Sequence, residues 1–550
     1  MSFQSDFIEY KYLPGLKNLY LDYINGSPNA RKYYHWDYRK SDDYRTLSDL
    51  IDKKEFHRGK IAEILWKSNS KFGCGDKIKE NIDRFMDPKS LVVISGQQVG
   101  IFGGPLYTFY KAAGVIKLAA ELTEKMSRPV VPMFWMATED HDYTEANTAS
   151  IVNRAGEPID IFNKPQNGQF NRSMSKITFG DAIIEAVNEL DESLIPSDYT
   201  EPLFSLLRKF YKPGEKISDA FGNWMSSLFC GYGLILVDPS DPDIKELSIP
   251  IYEKEINRPF DNKAPEDSDI DDRIVKDGYH LQVQKFKKGL NLFYADVSRE
   301  RILLNKNEES FILESSMKGF TKEELISHLY DDPSNFSSGV LLRPLVQSML
   351  LPTIGFLGGP SEISYHAQLY NNYDYFDVVA PVIRPRPSVS MMGKRISSTI
   401  EKYNVALPEL FTDHHKVISN VMIKHFPAGL DGKLNHLQVV ISDLLNSVSP
   451  ELEVFEDGLK QTFSTSTNKI DSELNKLKGK IFQAHKKKNS EITNQLLRVY
   501  DSFFPGGVMQ ERVLPIIYFL NKYSPAFAGK LFDAIDMDKF EHQIITINSS

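Results

Sequence analysis

Cysteine is nearly absent from this 550-residue chain: only Cys74 and Cys230 occur, too few and too isolated for a disulfide framework or a thiolate zinc site. That usage suits two inert thiols in a reducing compartment, and the expected location is the cytoplasm. Positive charge is also short. With 65 Lys and Arg against 74 Asp and Glu the net charge is −9, whereas sequence-independent binding of nucleic acid needs a basic surface to neutralise phosphates. Small molecules are therefore expected as partners and nucleic acid is not. Long apolar runs are missing too: Val130–Ala137 and Leu234–Val237 stop far short of the ~20 residues that cross a bilayer, so they read as buried strands and no membrane partner is expected. Met1–Asp6 shows no basic stretch leading into an apolar one, so no secretory signal is visible.

What is present is a hydrophobic content of 41%, ample for a large core and, at this length, for several domains. Between Ser90 and Asp142 the chain reads strand, glycine-rich turn, helix, strand, acidic tip: Leu91–Gly96, Gln97–Pro105, a helix, Val130–Thr138, then Glu139-Asp140-His141-Asp142. This is one βαβ unit with polar groups at both strand exits. Ligands of parallel sheets bind beyond the carboxyl ends of the strands, so an active site is expected there.

The fold class expected is α/β, a parallel-sheet core interrupted by insertions and followed by a helical section. Residues 1–150 read as an N-terminal helical flank, with helices near 45–68 and 74–86, plus the first half of the core; 151–180 as a first connective insertion with turns at Arg154–Pro158 and Gln166-Asn167-Gly168. Residues 181–260 continue the core through a second buried strand, Gly233–Val237; 261–335 form a more β-rich second insertion in which Tyr279–Lys285 and Leu290–Asp296 alternate enough to pair. Residues 336–390 complete the core, with a strand at Thr353–Leu357. From 391 to 508 a helical domain is expected: proline is absent after Pro450 as far as Val499, and Leu452, Phe455, Leu459, Phe463, Ile470, Leu474, Leu477 and Ile481 recur at three-and-four spacing. This pattern suits paired helices or a coiled coil, and a homodimer contact. A final helical piece, 509–550, is expected to fold back on the core.

Gly96, Gly100, Gly103 and Gly104 free the backbone to approach a ligand, and the helix after Pro105 would aim unpaired N–H groups at an anion. The spacing is neither the dinucleotide fingerprint nor the phosphate loop, and a purely structural turn is the alternative. Gln97 and Gln98 are better hydrogen-bonding than packing residues. Glu139, Asp140, His141, Asp142 and Glu145 crowd carboxylates around an imidazole, which perturbs pKa values and offers oxygens to Mg²⁺; the alternative is a solvated helix start with Asp140 or Asp142 as N-cap. Gly358-Gly359-Pro360 repeats the first turn, and Glu362, Tyr365 and His366 share a helix face expected to look into the crevice. Arg384 and Arg386 sit on a stiff extended segment fit to clamp carboxylate or phosphate, or to bridge neighbouring acids.

Six segments taken together resemble the BshC family of bacillithiol biosynthesis: S-G-Q-Q-V-G-I-F-G-G-P-L-Y-T from Ser95, W-M-A-T-E-D-H-D-Y-T-E from Trp135, L-L-R-P-L-V-Q-S-M-L-L-P-T from Leu341, G-G-P-S-E-I-S-Y-H-A-Q-L from Gly358, R-P-R-P-S from Arg384 and Q-E-R-V-L-P-I-I-Y-F-L-N-K-Y from Gln510. The likeness runs in order over nearly the whole chain. It implies a Rossmann-like core related to class I nucleotidyltransferases, two connective insertions and a coiled-coil domain able to mediate dimerisation. It also implies a cysteine ligase that joins the cysteine carboxyl group to the amine of glucosaminyl-malate. A carboxylate is a poor electrophile at neutral pH, so ATP is the expected co-reactant, with Mg²⁺ as its companion, through an acyl-adenylate or acyl-phosphate; no tightly bound cofactor is expected. The H-x-G-H and K-M-S-K-S signatures of adenylate-forming class I enzymes are absent: Gly103-Gly104-Pro105 stands where the first would fall, and Gly393-Lys394-Arg395-Ile396-Ser397 is a loose echo of the second.

Combining residues and resemblance, Gln97, Gln98, Asp140, His141 and Asp142 form the expected catalytic set, with His141 as general base on the amine. Gly96, Gly100, Gly103, Gly104, Lys111, Trp135 and Glu139 are expected to bind substrate or nucleotide, as are Gly358, Gly359, Glu362, Tyr365, His366 and Gln368, and Arg384, Arg386, Ser388, Asn521 and Lys522. No metal ligand is assigned. Two other readings stay open: a nucleotidyltransferase or other group-transfer enzyme on the same core, and a nucleotide-responsive scaffold acting through its helical stalk.

Overall fold

Continuous apolar runs are what a parallel sheet covered on both faces requires, and the segments that carry them here become its strands. The computed structural model describes residues 1–548 other than 74, 167–170, 285–288, 296–299, 314–317, 428 and 456–458. Cys74, the Asn167-Gly168 turn, Lys285, Asp296 and the side chains of Leu452 and Phe455 lie outside the described residues. The strands are β1 (Leu91–Gln97), β2 (Val130–Met136), β3 (Ile235–Val237), β4 (Thr353–Gly358) and β5 (Val382–Pro385). They pair in parallel in the order β3, β2, β1, β4, β5. In this doubly wound order the chain starts at the centre, builds one edge, then returns to build the other. The reversal falls between β1 and β4, so Gly96-Gln97 and Gly358-Gly359 flank the point at which such sheets bind ligands.

Helix α1 (Leu106–Met126) follows the glycine turn and packs on β1, β2 and β4. Gly114 sets how close it comes: a Cβ there would lie 2.6 Å from Leu357 Cδ2 and 2.9 Å from Pro387 Cδ. The turn itself is tight, with Gly103 at φ +89° and Gly104 at φ +68°. A Cβ on Gly103 would stand 2.3 Å from Trp224 Nε1, so this glycine admits an indole. Helices α2 (Pro242–Asn257), α3 (Arg343–Leu350) and α4 (Pro360–Ala367) complete the elements that carry site residues.

Several expectations are corrected by tertiary contacts. The N-terminal flank opens on a strand, Ser2–Ile8, and the helix expected at 45–68 is two, Ser41–Ile51 and Arg58–Ser70. Arg58 fixes the second start by donating to Phe85 O and to the Ser90 hydroxyl and carbonyl. In the first insertion Thr148–Val152 pairs with Pro158–Phe162 across the Arg154–Pro158 turn. In the second, Gly289–Ala295 pairs with Arg301–Asn307 and Phe336–Ser338, while Tyr279–Gln284 forms no strand. The backbone of Val283 instead bonds the Gln368 amide, its N–H to Oε1 at 2.9 Å and its carbonyl to Nε2 at 3.0 Å.

By its internal contacts the chain forms two units, one of Phe3–Met391 with Pro505–Ile545, the other of Met392–Phe504 with the chain ends. The second unit is helical, and Leu430–Phe455 packs along Leu459–Lys488. The pair starts twenty residues before Pro450, which lies exposed near the end of the first helix and removes only one backbone donor there. The C-terminal piece is less helical than expected: after Gln510–Val513, Ile516–Tyr523 and Phe527–Ala534 comes a strand, His542–Asn548.

Candidate active site

A cleft of about 350 Å³ lies at the switch point, walled by the exits of β1, β2 and β4. Lys111, one and a half turns into α1, reaches its floor. The ammonium donates to Gly96 O and to Gln97 Oε1, each at 2.8 Å, and lies 2.6 Å from Glu362 Oε2. Glu362 Oε2 also accepts the Gly359 N–H at 2.8 Å, closing the first turn of α4. A lysine only 3% exposed is tolerated because all three of its N–H groups are met and its charge is paired. Burial lowers the Lys111 pKa, with Glu362 pulling the other way.

The acidic tip of β2 faces the same cleft. Gln98 Nε2 donates to Asp140 Oδ2 at 2.8 Å, while Asp140 Oδ1 accepts the N–H groups of His141 at 2.6 Å and Asp142 at 3.2 Å. Burial alone would raise the Asp140 pKa; Arg301, the Gln98 amide and those two N–H groups together hold it below the usual carboxylate value. Asp142 caps the short helix Tyr143–Ala146, accepting from Glu145 N at 3.0 Å, which is the helix-start reading of the sequence. Glu145 stands in the cleft wall with its pKa raised, by burial first and then by Asp142 and Asp140.

His141 is held differently from the expected general base. Its Nδ1 faces Arg301 Nη1 at 2.9 Å, and the same guanidinium donates to the Ser337 hydroxyl and the Ser338 carbonyl and stacks 3.8 Å over Phe293. Since arginine only donates, Nδ1 must be the acceptor and the ring proton sits on Nε2. Burial, then the Arg301 charge, lowers the His141 pKa, and the one basic nitrogen is already engaged.

Three guanidinium groups line the cleft: Arg343 at the start of α3, Arg386 and Arg512. Arg343 Nη2 donates to Tyr365 OH at 2.6 Å, and among the described residues neither its Nε nor Gln98 Oε1 has a partner. Arg386 is locked by Glu511, with bonds of 3.0 and 2.7 Å, and Glu511 also accepts from Ser388 Oγ at 3.0 Å. A neighbouring hollow of about 370 Å³ shares Pro360, Ser361, Arg386 and Arg512 with the cleft and is walled by Tyr10 and Tyr20.

Of the sequence candidates, the cleft gathers Gly96, Gln97, Gln98, Lys111, Asp140, Gly359, Glu362 and Arg386. Others lie elsewhere. Gly100 and Gly104 pack on each other and Gly103 on Trp224, and the first N–H of α1, that of Leu106, donates to Leu514 O at 2.8 Å. Gly358 closes on the Glu362 and Ile363 side chains. Trp135 is buried in β2. His366 does not reach the cleft: it is buried against Phe356, its Nδ1 3.1 Å from Tyr373 OH, and burial holds its pKa at about 3. Gln368 serves Val283, Arg384 pairs with Glu121 and bonds Met537 O, and Ser388 bonds Glu511 and His542. Asn521 bonds Thr200 and Ile195 O, and Lys522 lies by Tyr518 and Tyr523. Glu139 faces away from the cleft. Sequence reasoning missed Arg343, Arg301, Arg512 and Glu511 as site residues; Arg343 left a signal as a lone charge in the apolar Leu341-Leu342-Arg343-Pro344-Leu345, and Glu511 and Arg512 lay within the Gln510 segment, while Arg301 left none. Among the described residues no three or more His, Cys, Asp or Glu side chains are grouped to hold a metal ion, and no helix is long and apolar enough to cross a membrane.

A five-strand doubly wound sheet with a charged cleft at its switch point, and a separate unit of long paired helices, define a Rossmann-like protein with a helical coiled-coil domain. The model of the bacillithiol biosynthesis BshC N-terminal Rossmann-like domain matches residues 3–387, and that of the BshC C-terminal coiled-coil domain matches 389–547. The chain belongs to the BshC family. Proteins named "Putative cysteine ligase BshC" from Salinibacter ruber (31% identical, 97% of each chain), Chlorobium phaeobacteroides (30%, 92% of this chain and 93% of that one) and Desulforamulus reducens (29%, 95% and 96%) are similar over almost their whole length. Residues 505–545, within the second domain match, fold with the first unit.

Proposed function

We propose that this protein is a cysteine ligase that forms an amide between the cysteine carboxyl group and the amine of glucosaminyl-malate, with ATP as the activating co-reactant. The observation that carries the reading is the convergence of Arg343 and Arg512 with Asp140 and Glu145 on one cleft whose floor is the Lys111–Glu362 pair: guanidinium groups to hold carboxylate and phosphate oxygens, carboxylates to handle the ammonium. The orphaned Arg343 Nε and Gln98 Oε1 fit a polar ligand there. ATP would supply the activation that a carboxylate lacks, its phosphates toward Arg343, Arg386 and Arg512 and its base toward the tyrosine-walled hollow.

Arg343 and Arg512 neutralise oxygen charge on the activated acyl group while the amine attacks its carbonyl carbon and phosphate or AMP leaves. Glu145, whose raised pKa brings it nearer neutrality, takes the proton from the amine. Gln98 orients Asp140 beside it. His141, with Nδ1 accepting from Arg301, presents an N–H and serves as a donor. Cytoplasmic residence and a homodimer belong to the same reading; the dimer is supported by Leu437, Val440, Leu444 and Val448, a stripe on Leu430–Phe455 left 38–62% exposed. Mass analysis of protein incubated with ATP, cysteine and glucosaminyl-malate tests the activity. Formation of bacillithiol, lost in Arg343→Met, is expected; a glucosaminyl-malate pool untouched with every nucleotide tried would refute it.

A further inference from the structure

The tip of β2 has two sides. Ala137 and Asp140 face the cleft, whereas Glu139 turns into a separate cavity of about 570 Å³. There Glu139 pairs with Lys245 of α2, whose ammonium also donates to Phe336 O at 2.5 Å; the two residues are 7% and 3% exposed. The pair keeps bonding capacity in hand. Lys245 uses two of its three N–H groups and Glu139 one of its two oxygens among the described residues. Both insertions roof the space: Ser175 comes from the first, Tyr294, Asn335 and Ser337 from the second, and Ser240 from the turn after β3.

The lining selects a ligand class. Lys245 and Lys176 are balanced by Glu139 and Asp332, so neither anions nor cations are favoured. An apolar occupant would desolvate the serine hydroxyls and the ion pair without replacing their bonds. A sugar satisfies both demands, with hydroxyls around its rim that donate to and accept from the serine and Asn335 groups and the Glu139–Lys245 pair. The volume is within the range of small-molecule pockets.

We propose that this cavity is a second binding site, distinct from the cleft, for a neutral pyranoside. It does not depend on the ligase reading. Calorimetric titration of the full chain with methyl α-D-glucopyranoside is expected to show one saturable site, weakened at least about tenfold in Asn335→Leu and in Ser175→Val. Glu145→Gln, in the cleft wall, should bind the glucoside as wild type does, and malate should not compete. Competition by glucosaminyl-malate would identify the sugar as that of the amine substrate; its failure to compete would identify a separate glycoside, and either result upholds the site. Lack of saturable binding, equal binding in both cavity variants with circular dichroism showing them folded, displacement by malate, or loss in Glu145→Gln would overturn it.

Discussion

The Lys111 ammonium and the Glu362 carboxylate meet at 2.6 Å across the line where strand order reverses, one carried by the helix after β1 and the other by the helix after β4. Each half of the sheet thus supplies one charge, and the pair ties both strand exits to the cleft floor. Removing one partner of a buried pair leaves the other uncompensated, which costs about 3–5 kcal/mol. Lys111→Met should therefore lower unfolding stability by about that much in a denaturant titration. The double variant Lys111→Met/Glu362→Met should recover part of the loss while staying inactive.

Gly103→Ala is expected to destabilise by about 1–3 kcal/mol through overpacking, with backbone strain added. The reason is local: the new Cβ meets Trp224 Nε1 at 2.3 Å, at a φ of +89° that favours glycine. Gly156, at φ +85° with nothing among the described residues within 4 Å of a Cβ, is the control, since it carries the strain without the clash. Thermal unfolding of the two variants separates these effects.

Stability should fall on mild acidification. Burial holds His366 at about 3 and His542 at about 4, both below the ~6.5 of an unfolded histidine. Above pH ~6.5 the two states bind equal protons at these sites, and stability is flat with respect to them. As the pH drops from there toward 4 the unfolded chain takes up protons that the folded one refuses, so stability is lost, at up to about 2.7 kcal/mol per pH unit for two sites. Denaturant midpoints measured across this window should decline, and less steeply in His366→Phe.

Activity should rise with pH through a carboxylate limb. Glu145 titrates above the ordinary glutamate value because partial desolvation at the cleft wall and then the Asp142 and Asp140 charges disfavour its anion. The base form dominates only above that raised value, so rate falls as pH drops through it. Glu145→Gln should remove the limb and lower kcat about 100-fold, within the usual worth of general-base catalysis, with KM little changed. A limb that persists in this variant assigns the base elsewhere.

The exposed stripe of Leu437, Val440, Leu444 and Val448 predicts self-association. Leu437→Asp/Leu444→Asp should convert a dimer to a monomer in sedimentation velocity, because charges on an apolar seam leave buried ions unpaired.

Much of the core was legible. Leu91–Gln97, Val130–Met136 and Thr353–Gly358 announce themselves because a strand buried on both faces needs an unbroken apolar run, and each is followed by glycine or acid at its exit. The candidate site was legible in part for the same reason: polar residues after such strands gather at the crevice, as Gln97, Gln98, Asp140 and Glu362 do, although Glu139 turns to the other side of the strand tip. Periodicity failed where partners are distant. Tyr279–Gln284 alternates like a strand, yet its backbone is bonded by the side chain of Gln368, 85 positions from Val283.

Sequence by itself determined the central core strands Leu91–Gln97, Val130–Met136, Ile235–Val237 and Thr353–Gly358, the crossing helix, the two tight turns and the long helical seams, since these follow from spacing along one stretch of chain. Only tertiary structure decided which polar groups remain available to a ligand. His141 and Arg301 are 160 residues apart, and Arg386 and Glu511 125 apart; no local pattern foretells that the first contact sets a tautomer and the second locks a guanidinium. Hydrogen bonding at a buried site is settled by the nearest donor in space, and the fold, rather than the order of residues, determines which donor that is.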